Sequence, residues 1–181
     1  MFVCKVFTFF LMLALSFFRS ESDATTQRYI EEYKYIAIDE MSMSGIPASI
    51  ILAQAIVESN AGTSNLALRS NNHFGIKCKR TWTGETYYHV DDDRDRQGKL
   101  IESCFRKYSS VEESYKDHSD FLITRSHYNE LFRYKKTDYV NWAHGLKRCG
   151  YATDEQYAHK LIRTIERFDL SEYDLYVVRY E

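Results

Sequence analysis

The sequence predicts a mainly α-helical domain that carries one small β-hairpin lobe, and three observations support this. The 181 residues include only one proline and seven glycines, which favours helices over a many-stranded sandwich. The segment Ile46–Val57 is apolar almost throughout, as expected of a helix buried on every side. Residues 74–108 are rich in Thr, Tyr, Val and Ile, which are typical of strands.

The composition is that of one globular domain. Apolar residues make up 44% of the chain and charged residues 28%, as in folded soluble proteins. Lys and Arg number 24 against 26 Asp and Glu, so the chain has no general basic field. We therefore do not expect nucleic acid as a partner.

Residues 1–24 have the pattern of a signal peptide. Lys5 precedes the apolar stretch Val6–Phe18, and Ser22 and Ala24 place small residues where a signal peptidase reads. The stretch is shorter than the roughly 20 residues that span a bilayer. We expect a secreted or periplasmic protein without stable membrane insertion; the alternative is an uncleaved anchor.

Export leaves three cysteines, which cannot all pair within the chain. Cys78 and Cys104 lie at opposite ends of the strand-like segment, so a hairpin would bring them together. We expect a Cys78–Cys104 disulfide, with Cys149 left over in a helix. The chain has no Cys-x-x-Cys or His-x-x-x-His spacing, and no metal site is expected.

Apolar periodicity predicts about five or six helices. An amphipathic helix covers roughly residues 26–43, and the buried helix follows it with Pro47 at its beginning. Three later helices are predicted, with starts marked by Ser109, Thr137 and Thr153.

A β-hairpin is predicted between the second helix and these later helices. Its strands read "WTGETYYHV" and "KLIESCFRKY", and they flank the acidic stretch "DDDRDRQG". A cleft between this lobe and the helical bundle is where a substrate would lie.

Glu58 ends the buried helix and is the candidate catalytic acid. The partial negative charge of the helix C-terminus and the apolar neighbours both disfavour a carboxylate, which raises the pKa. A carboxyl group that stays protonated near neutral pH can donate a proton to a glycosidic oxygen. The alternative is that Glu58 only solvates a helix end beside Asn60 and Gly62.

The order of the motifs resembles a known family. The chain reads "IPASIILAQAIVESNAGTSNLA", "NNHFGIK", "FRKY", "ESYKDHSDFL" and "YVNWAHGLKRCGYATDEQYAHKLI". This series resembles the bacterial peptidoglycan β-N-acetylglucosaminidases of glycoside hydrolase family 73, from about Tyr29 to Phe168. The resemblance implies a lysozyme-like helical bundle with a small β-hairpin lobe flanking a substrate cleft.

The same resemblance implies roles for several residues. It makes Glu58 the catalytic glutamate, has Asn72 and Phe74 of "NNHFG" shape the cleft floor, and places Tyr151 of "GYATD" near the scissile bond. The alternative for Tyr151 is a core tyrosine beside a helix.

Two further aromatic residues, Trp142 and Tyr157, are candidates for binding the substrate. Either ring could stack on a sugar face, but both lie at helical spacings that suit the core equally well.

A second carboxylate is expected on the hairpin, where relatives that have one usually carry a Glu ahead of a "YxNGK" stretch. This chain instead offers Asp91, Asp92 and Asp93, with Asp95, Glu85 and Glu102 nearby. Asp92 is the central choice. It could activate water, stabilise an oxocarbenium ion, or be dispensable if the substrate's acetamido group assists. The alternative is that the run is a solvated hairpin edge.

"DRDRQGKLIESC" also resembles the spacing of a calcium loop. Its twelfth position is Cys104 rather than the required Glu, and its flanks are predicted strands, so we reject calcium.

Together these features predict an exported, monomeric endo-β-N-acetylglucosaminidase that acts on peptidoglycan glycan strands without a cofactor. Residues 25–170 would form the glucosaminidase domain and 171–181 a C-terminal tail. The alternatives are a lytic transglycosylase, a chitinase-like or glycoprotein-glycan activity, and a non-catalytic glycan-binding module.

Overall fold

The structure, a computed structural model, describes the backbone of residues 3–80 and 82–176, and side chains within 21–80, 82–91 and 93–176. It confirms the mainly α fold with a small β-lobe. Its elements are α1 (Val3–Ser44), α2 (Ala48–Ser59), α3 (Asn65–Ser70), β1 (Thr86–Arg94), β2 (Leu100–Arg106), α4 (Val111–Ile123), α5 (Tyr139–Arg148), α6 (Tyr157–Arg167), and 3₁₀ turns at Ser126–Tyr128, Leu131–Arg133 and Leu170–Leu175.

Helix α1 is longer than the predicted helix over residues 26–43. No proline or glycine precedes Gly45, so the sequence contains no residue that would end a helix earlier. Most of the predicted signal peptide, residues 1–24, falls within residues 1–20, whose side chains the structure does not describe. In the part of the chain that was described, no helix is long and apolar enough to cross a membrane.

Helix α2 runs through the centre of the bundle, as its sequence predicts. Ile50, Ile51 and Leu52 are fully buried, and α1 and α6 both pack against the helix. This burial fixes the direction of α2. Its last turn, which carries Glu58, lies where the buried run of the helix ends and side chains become partly exposed.

The first residues of the predicted tail pack onto α2. Asp174 accepts hydrogen bonds from the Ser49 backbone N–H (2.8 Å) and the Ser49 hydroxyl (2.7 Å). Pro47, at the N-cap of α2, provides no side-chain cap. Asp174 therefore caps the central helix from a distant part of the chain.

The three later helices begin after the predicted residues. Ser110 rather than Ser109 is the N-cap of α4, and Asp138 rather than Thr137 is that of α5. Helix α6 has no side-chain cap from Thr153; its N-cap is Gln156. Several neighbouring polar residues could cap each helix, and tertiary packing selects among them.

Strands β1 and β2 form an antiparallel hairpin in which Tyr88 lies opposite Cys104. Lys77 adds an isolated bridge to Phe105 on the other side of β2. The structure confirms the Cys78–Cys104 disulfide, and Cys149 is a free cysteine. The disulfide therefore joins the segment after α3 to β2.

Two buried histidines should make the protein sensitive to acid. Burial lowers the pKa of His73 to about 4 and that of His118 to about 3, against 6.5 for an exposed histidine. The unfolded chain therefore binds more protons below pH 6.5, so stability present above that pH is lost as the pH falls. Neither ring nitrogen of His118 has a hydrogen-bond partner among the described residues.

We expect the melting temperature to fall between pH 6.5 and 4, with His118 alone contributing on the order of 3 kcal/mol. Thermal unfolding across this range measures the effect. His118→Phe, which keeps the stacking on Phe74, should flatten the decline. The exposed His127→Gln should leave the decline unchanged, and equal slopes in all three proteins would contradict this account.

Candidate active site

Glu58 occupies the last turn of α2 and is half-buried. The helix ends one residue later, at Ser59, because Asn60 adopts a left-handed conformation (φ 53°) and its N–H bonds back to the Ile56 carbonyl. The carboxyl group is thus held on a rigid helix at the point where the chain turns away.

A tyrosine and a glutamine position the Glu58 carboxyl group. The Tyr157 hydroxyl donates to Glu58 Oε1 at 2.8 Å, and Gln54 Nε2 donates to the same hydroxyl at 3.0 Å. The ring of Tyr151 stacks on that of Tyr157, with centroids 5.6 Å apart and planes 20° from parallel. Helices α2 and α6 therefore meet at Glu58.

The surroundings of Glu58 favour its protonated form. Burial raises the pKa of the carboxyl group, and the negative charge of Asp91 raises it further. The hydrogen bond from Tyr157 and the charge of Lys160 act in the opposite direction, but burial is the larger effect. The structure thus agrees with the pKa direction predicted from the sequence.

The hairpin carries two acids that share one lysine. Lys77 Nζ lies 3.0 Å from Asp91 Oδ2 and 2.5 Å from Asp93 Oδ2. Asp93 also accepts a hydrogen bond from the Ser103 hydroxyl at 2.5 Å. Asp92 is the residue chosen from the sequence, and the structure does not describe its side chain. Of the described hairpin acids, Asp91 is the one whose charge acts on Glu58.

Asn72 and Phe74 are both buried and lie on the segment between α3 and β1. The Asn72 side-chain amide donates to the carbonyls of Ile76 (2.9 Å) and Arg106 (2.8 Å), which ties the loop before Lys77 to β2. Phe74 stacks on His118 with centroids 4.0 Å apart. Both side chains are almost fully buried, so a role of either residue in the floor of a cleft stays a prediction.

The structure does not support stacking of Trp142 or Tyr157 on a sugar. Trp142 is 1% exposed, packs edge-on against Phe132 and donates its indole N–H to the Lys135 carbonyl. Tyr157 is 3% exposed and is engaged with Glu58. Both rings are therefore part of the core. The sequence could not decide this, because helical spacing alone does not reveal which face of a helix is covered. Tyr151 is half-buried and lies beside the site.

Sequence reasoning missed Gln54 and Lys77. Gln54 is a polar residue in an otherwise apolar stretch of α2, and a buried amide of this kind requires a hydrogen-bond partner. Lys77 precedes a cysteine of the disulfide, a position that the sequence does not connect to the acidic run. Among the described side chains, no group of three His, Cys, Asp or Glu could hold a metal ion.

The sequence profile of the glucosaminidase family matches residues 34–170, and the family is described as mannosyl-glycoprotein endo-β-N-acetylglucosaminidase. The chain belongs to this glucosaminidase family. Membership confirms the resemblance drawn from the sequence motifs, and it makes the protein a member of a glycoside hydrolase family.

Similar proteins come from several bacteria. The chain is 39% identical over 130 residues to the exo-glucosaminidase LytG of Bacillus subtilis, covering 70% of this chain and 45% of that protein. It is 31% identical over 145 residues to the peptidoglycan hydrolase FlgJ of Vibrio cholerae, covering 78% and 43%. The chain thus spans less than half the length of these two relatives.

The fold is also similar to that of a solved autolysin domain. The catalytic domain of the autolysin Auto from Listeria monocytogenes has a TM-score of 0.73 and 28% sequence identity. The match covers 88% of this chain and 97% of that domain. The resemblance therefore extends over the whole of a known catalytic domain.

Proposed function

We propose that this glucosaminidase-family protein is an exported hydrolase that cleaves β-1,4 bonds after N-acetylglucosamine in peptidoglycan. The observation that carries the proposal is Glu58, a half-buried carboxyl group at the end of a rigid helix, with its pKa raised by burial and by the charge of Asp91. Such a group can remain protonated until a glycosidic oxygen approaches.

In the proposed reaction, Glu58 transfers its proton to the glycosidic oxygen as the bond to the anomeric carbon breaks. The leaving sugar takes the bonding electron pair and the proton, and the anomeric carbon develops oxocarbenium-ion character. Water then adds to that carbon and gives its proton to a carboxylate of the site, either the hairpin acid or Glu58 itself, and proton exchange with solvent restores protonated Glu58. The product ends in a reducing N-acetylglucosamine.

The hairpin would supply the second carboxylate. The sequence selects Asp92 as the central candidate. Among the hairpin acids whose side chains the structure describes, we favour Asp91, because its negative charge raises the pKa of Glu58. Lys77 contacts both Asp91 and Asp93, and it would hold Asp91 in place. Asp91 could stabilise the developing positive charge or accept the proton of the attacking water.

Several observations support the cell wall as the site of action. The named relatives include an exo-glucosaminidase and a peptidoglycan hydrolase of bacteria. The disulfide is consistent with an oxidising compartment, and residues 1–24 would direct export. The family description names glycoproteins, so a glycoprotein glycan is the main alternative substrate, with chitin as another.

Digestion of three polymers tests the substrate class. The purified protein should release soluble fragments from peptidoglycan. Release from chitin or from a high-mannose glycoprotein should be much slower. Faster release from either alternative polymer would overturn the proposed substrate. Tight binding to peptidoglycan without any release of fragments would instead indicate a non-catalytic module.

A further inference from the structure

We propose that Gln54 and Tyr157 form a positioning pair that determines which oxygen of Glu58 carries the catalytic proton. The inference rests on the proposed role of Glu58 as general acid and assigns a new task to its two neighbours. Neither neighbour needs to touch the substrate for this task.

The pair is built into the contact between two helices. Gln54 and Glu58 are four residues apart on α2 and therefore project from the same face of that helix. Tyr157 is the first residue of α6, and its hydroxyl lies between them, 3.0 Å from Gln54 Nε2 and 2.8 Å from Glu58 Oε1. Gln54 and Tyr157 are 0% and 3% exposed, so solvent does not compete for these bonds.

The chemistry of the donors sets the direction of the two hydrogen bonds that link Gln54, Tyr157 and Glu58. An amide N–H can only donate, so Gln54 Nε2 occupies a lone pair of the Tyr157 hydroxyl. The one O–H of the tyrosine is then left for Glu58 Oε1. Because Oε1 accepts this bond, the proton of the neutral carboxyl group resides on Oε2, the oxygen left for the glycosidic bond.

The ring of Tyr157 is held in place, which fixes the position of its hydroxyl oxygen. Tyr151 stacks against it with planes 20° apart, and the ring itself is almost fully buried. The hydroxyl oxygen therefore stays between Gln54 and Glu58, and the N–H donated by Gln54 leaves the O–H directed at Glu58. In the reversed series of hydrogen bonds, Glu58 would donate to Tyr157 and Tyr157 would donate to Gln54 Oε1. That direction would point the catalytic proton away from the substrate.

The two directions predict opposite effects on the pKa of Glu58. A bond donated to the carboxylate stabilises its charged form, so losing that bond raises the pKa. A bond donated by the protonated carboxyl group stabilises its neutral form, so losing that bond lowers the pKa. The pH at which activity declines on the alkaline side reports this pKa.

Tyr157→Phe tests the inference, because it keeps the ring and its stacking on Tyr151 but removes the hydroxyl. We expect kcat on a soluble peptidoglycan fragment to fall about tenfold, with KM nearly unchanged. The alkaline limb of the kcat profile should move up by about one pH unit. Gln54→Met should shift kcat and the limb in the same directions by smaller amounts, and it provides a second test if Tyr157→Phe folds poorly.

Tyr134→Phe is the matched control, since the Tyr134 hydroxyl bonds only to the exposed Arg148 among its described contacts (2.8 Å). It should change neither kcat nor the pH profile. An unchanged alkaline limb in folded Tyr157→Phe and Gln54→Met, or a limb that moves down, would overturn the inference. A rise in KM at constant kcat would also overturn it and return Tyr157 to substrate binding.

Failure of this inference can be distinguished from failure of the proposed function. If Glu58→Gln is inactive while both pair variants behave as wild type, only the positioning pair is refuted. If Glu58→Gln remains active, Glu58 is not the general acid and the proposed mechanism fails with it.

Discussion

Replacing Glu58 with Gln should leave a folded protein that releases wall fragments at least a hundredfold more slowly than wild type. Glutamine keeps the size of the side chain and can still accept the hydrogen bond from Tyr157, but it has no transferable proton. General acid catalysis by a positioned side chain typically contributes about a hundredfold to ten-thousandfold in rate. Initial rates of release from purified peptidoglycan measure the effect.

Glu166→Gln provides the matched control for this substitution, because Glu166 is an exposed glutamate on α6. It should retain the wild-type rate, and the melting temperatures of both variants should stay close to that of wild type. Activity of Glu58→Gln within a few-fold of wild type would show that another group donates the proton.

Asp91→Asn should lower turnover about tenfold, which corresponds to about 1.4 kcal/mol of transition-state stabilisation. The substitution removes a negative charge that raises the pKa of Glu58. The alkaline limb of the pH profile should therefore move down, in the direction opposite to that expected for Tyr157→Phe. Rates and pH profiles on one soluble glycan measure both effects.

Asp92→Asn and Asp93→Asn complete the comparison. Asp93 bonds to Lys77 and Ser103, so its loss should act indirectly and change turnover less than the loss of Asp91. Equal rates in all three variants would show that the acidic run is a solvated edge. A large loss confined to Asp92→Asn would support the residue chosen from the sequence.

The parts of the fold that depend on local pattern were predictable. The all-round apolar run identifies α2, and the strand-rich composition around the acidic stretch identifies the hairpin. The Cys78–Cys104 pair was predicted correctly, but Cys78 lies on the segment that pairs with the outer side of β2, whereas Tyr88 of β1 lies opposite Cys104. Helix starts were less predictable, because adjacent residues such as Ser109 and Ser110 can each act as a cap.

Other features depend on packing between distant segments and could not be predicted. Alternation along a strand implies that Asp91 and Asp93 share a side, but the partner that they share, Lys77, lies on a different segment. The spacing of Trp142 and Tyr157 suits a core or a cleft equally well. The contact between Asp174 and Ser49 joins residues 125 positions apart, so no local signal marks it.

The composition of the new glycan ends tests the central claim most directly. Purified peptidoglycan is digested with the protein, the fragments are reduced with borohydride, and their terminal sugars are identified by mass spectrometry. Hydrolysis after N-acetylglucosamine predicts fragments that end in N-acetylglucosaminitol and disappear when Glu58→Gln replaces wild type. Fragments that end in N-acetylmuramitol, or in an anhydro sugar that borohydride does not reduce, would contradict it.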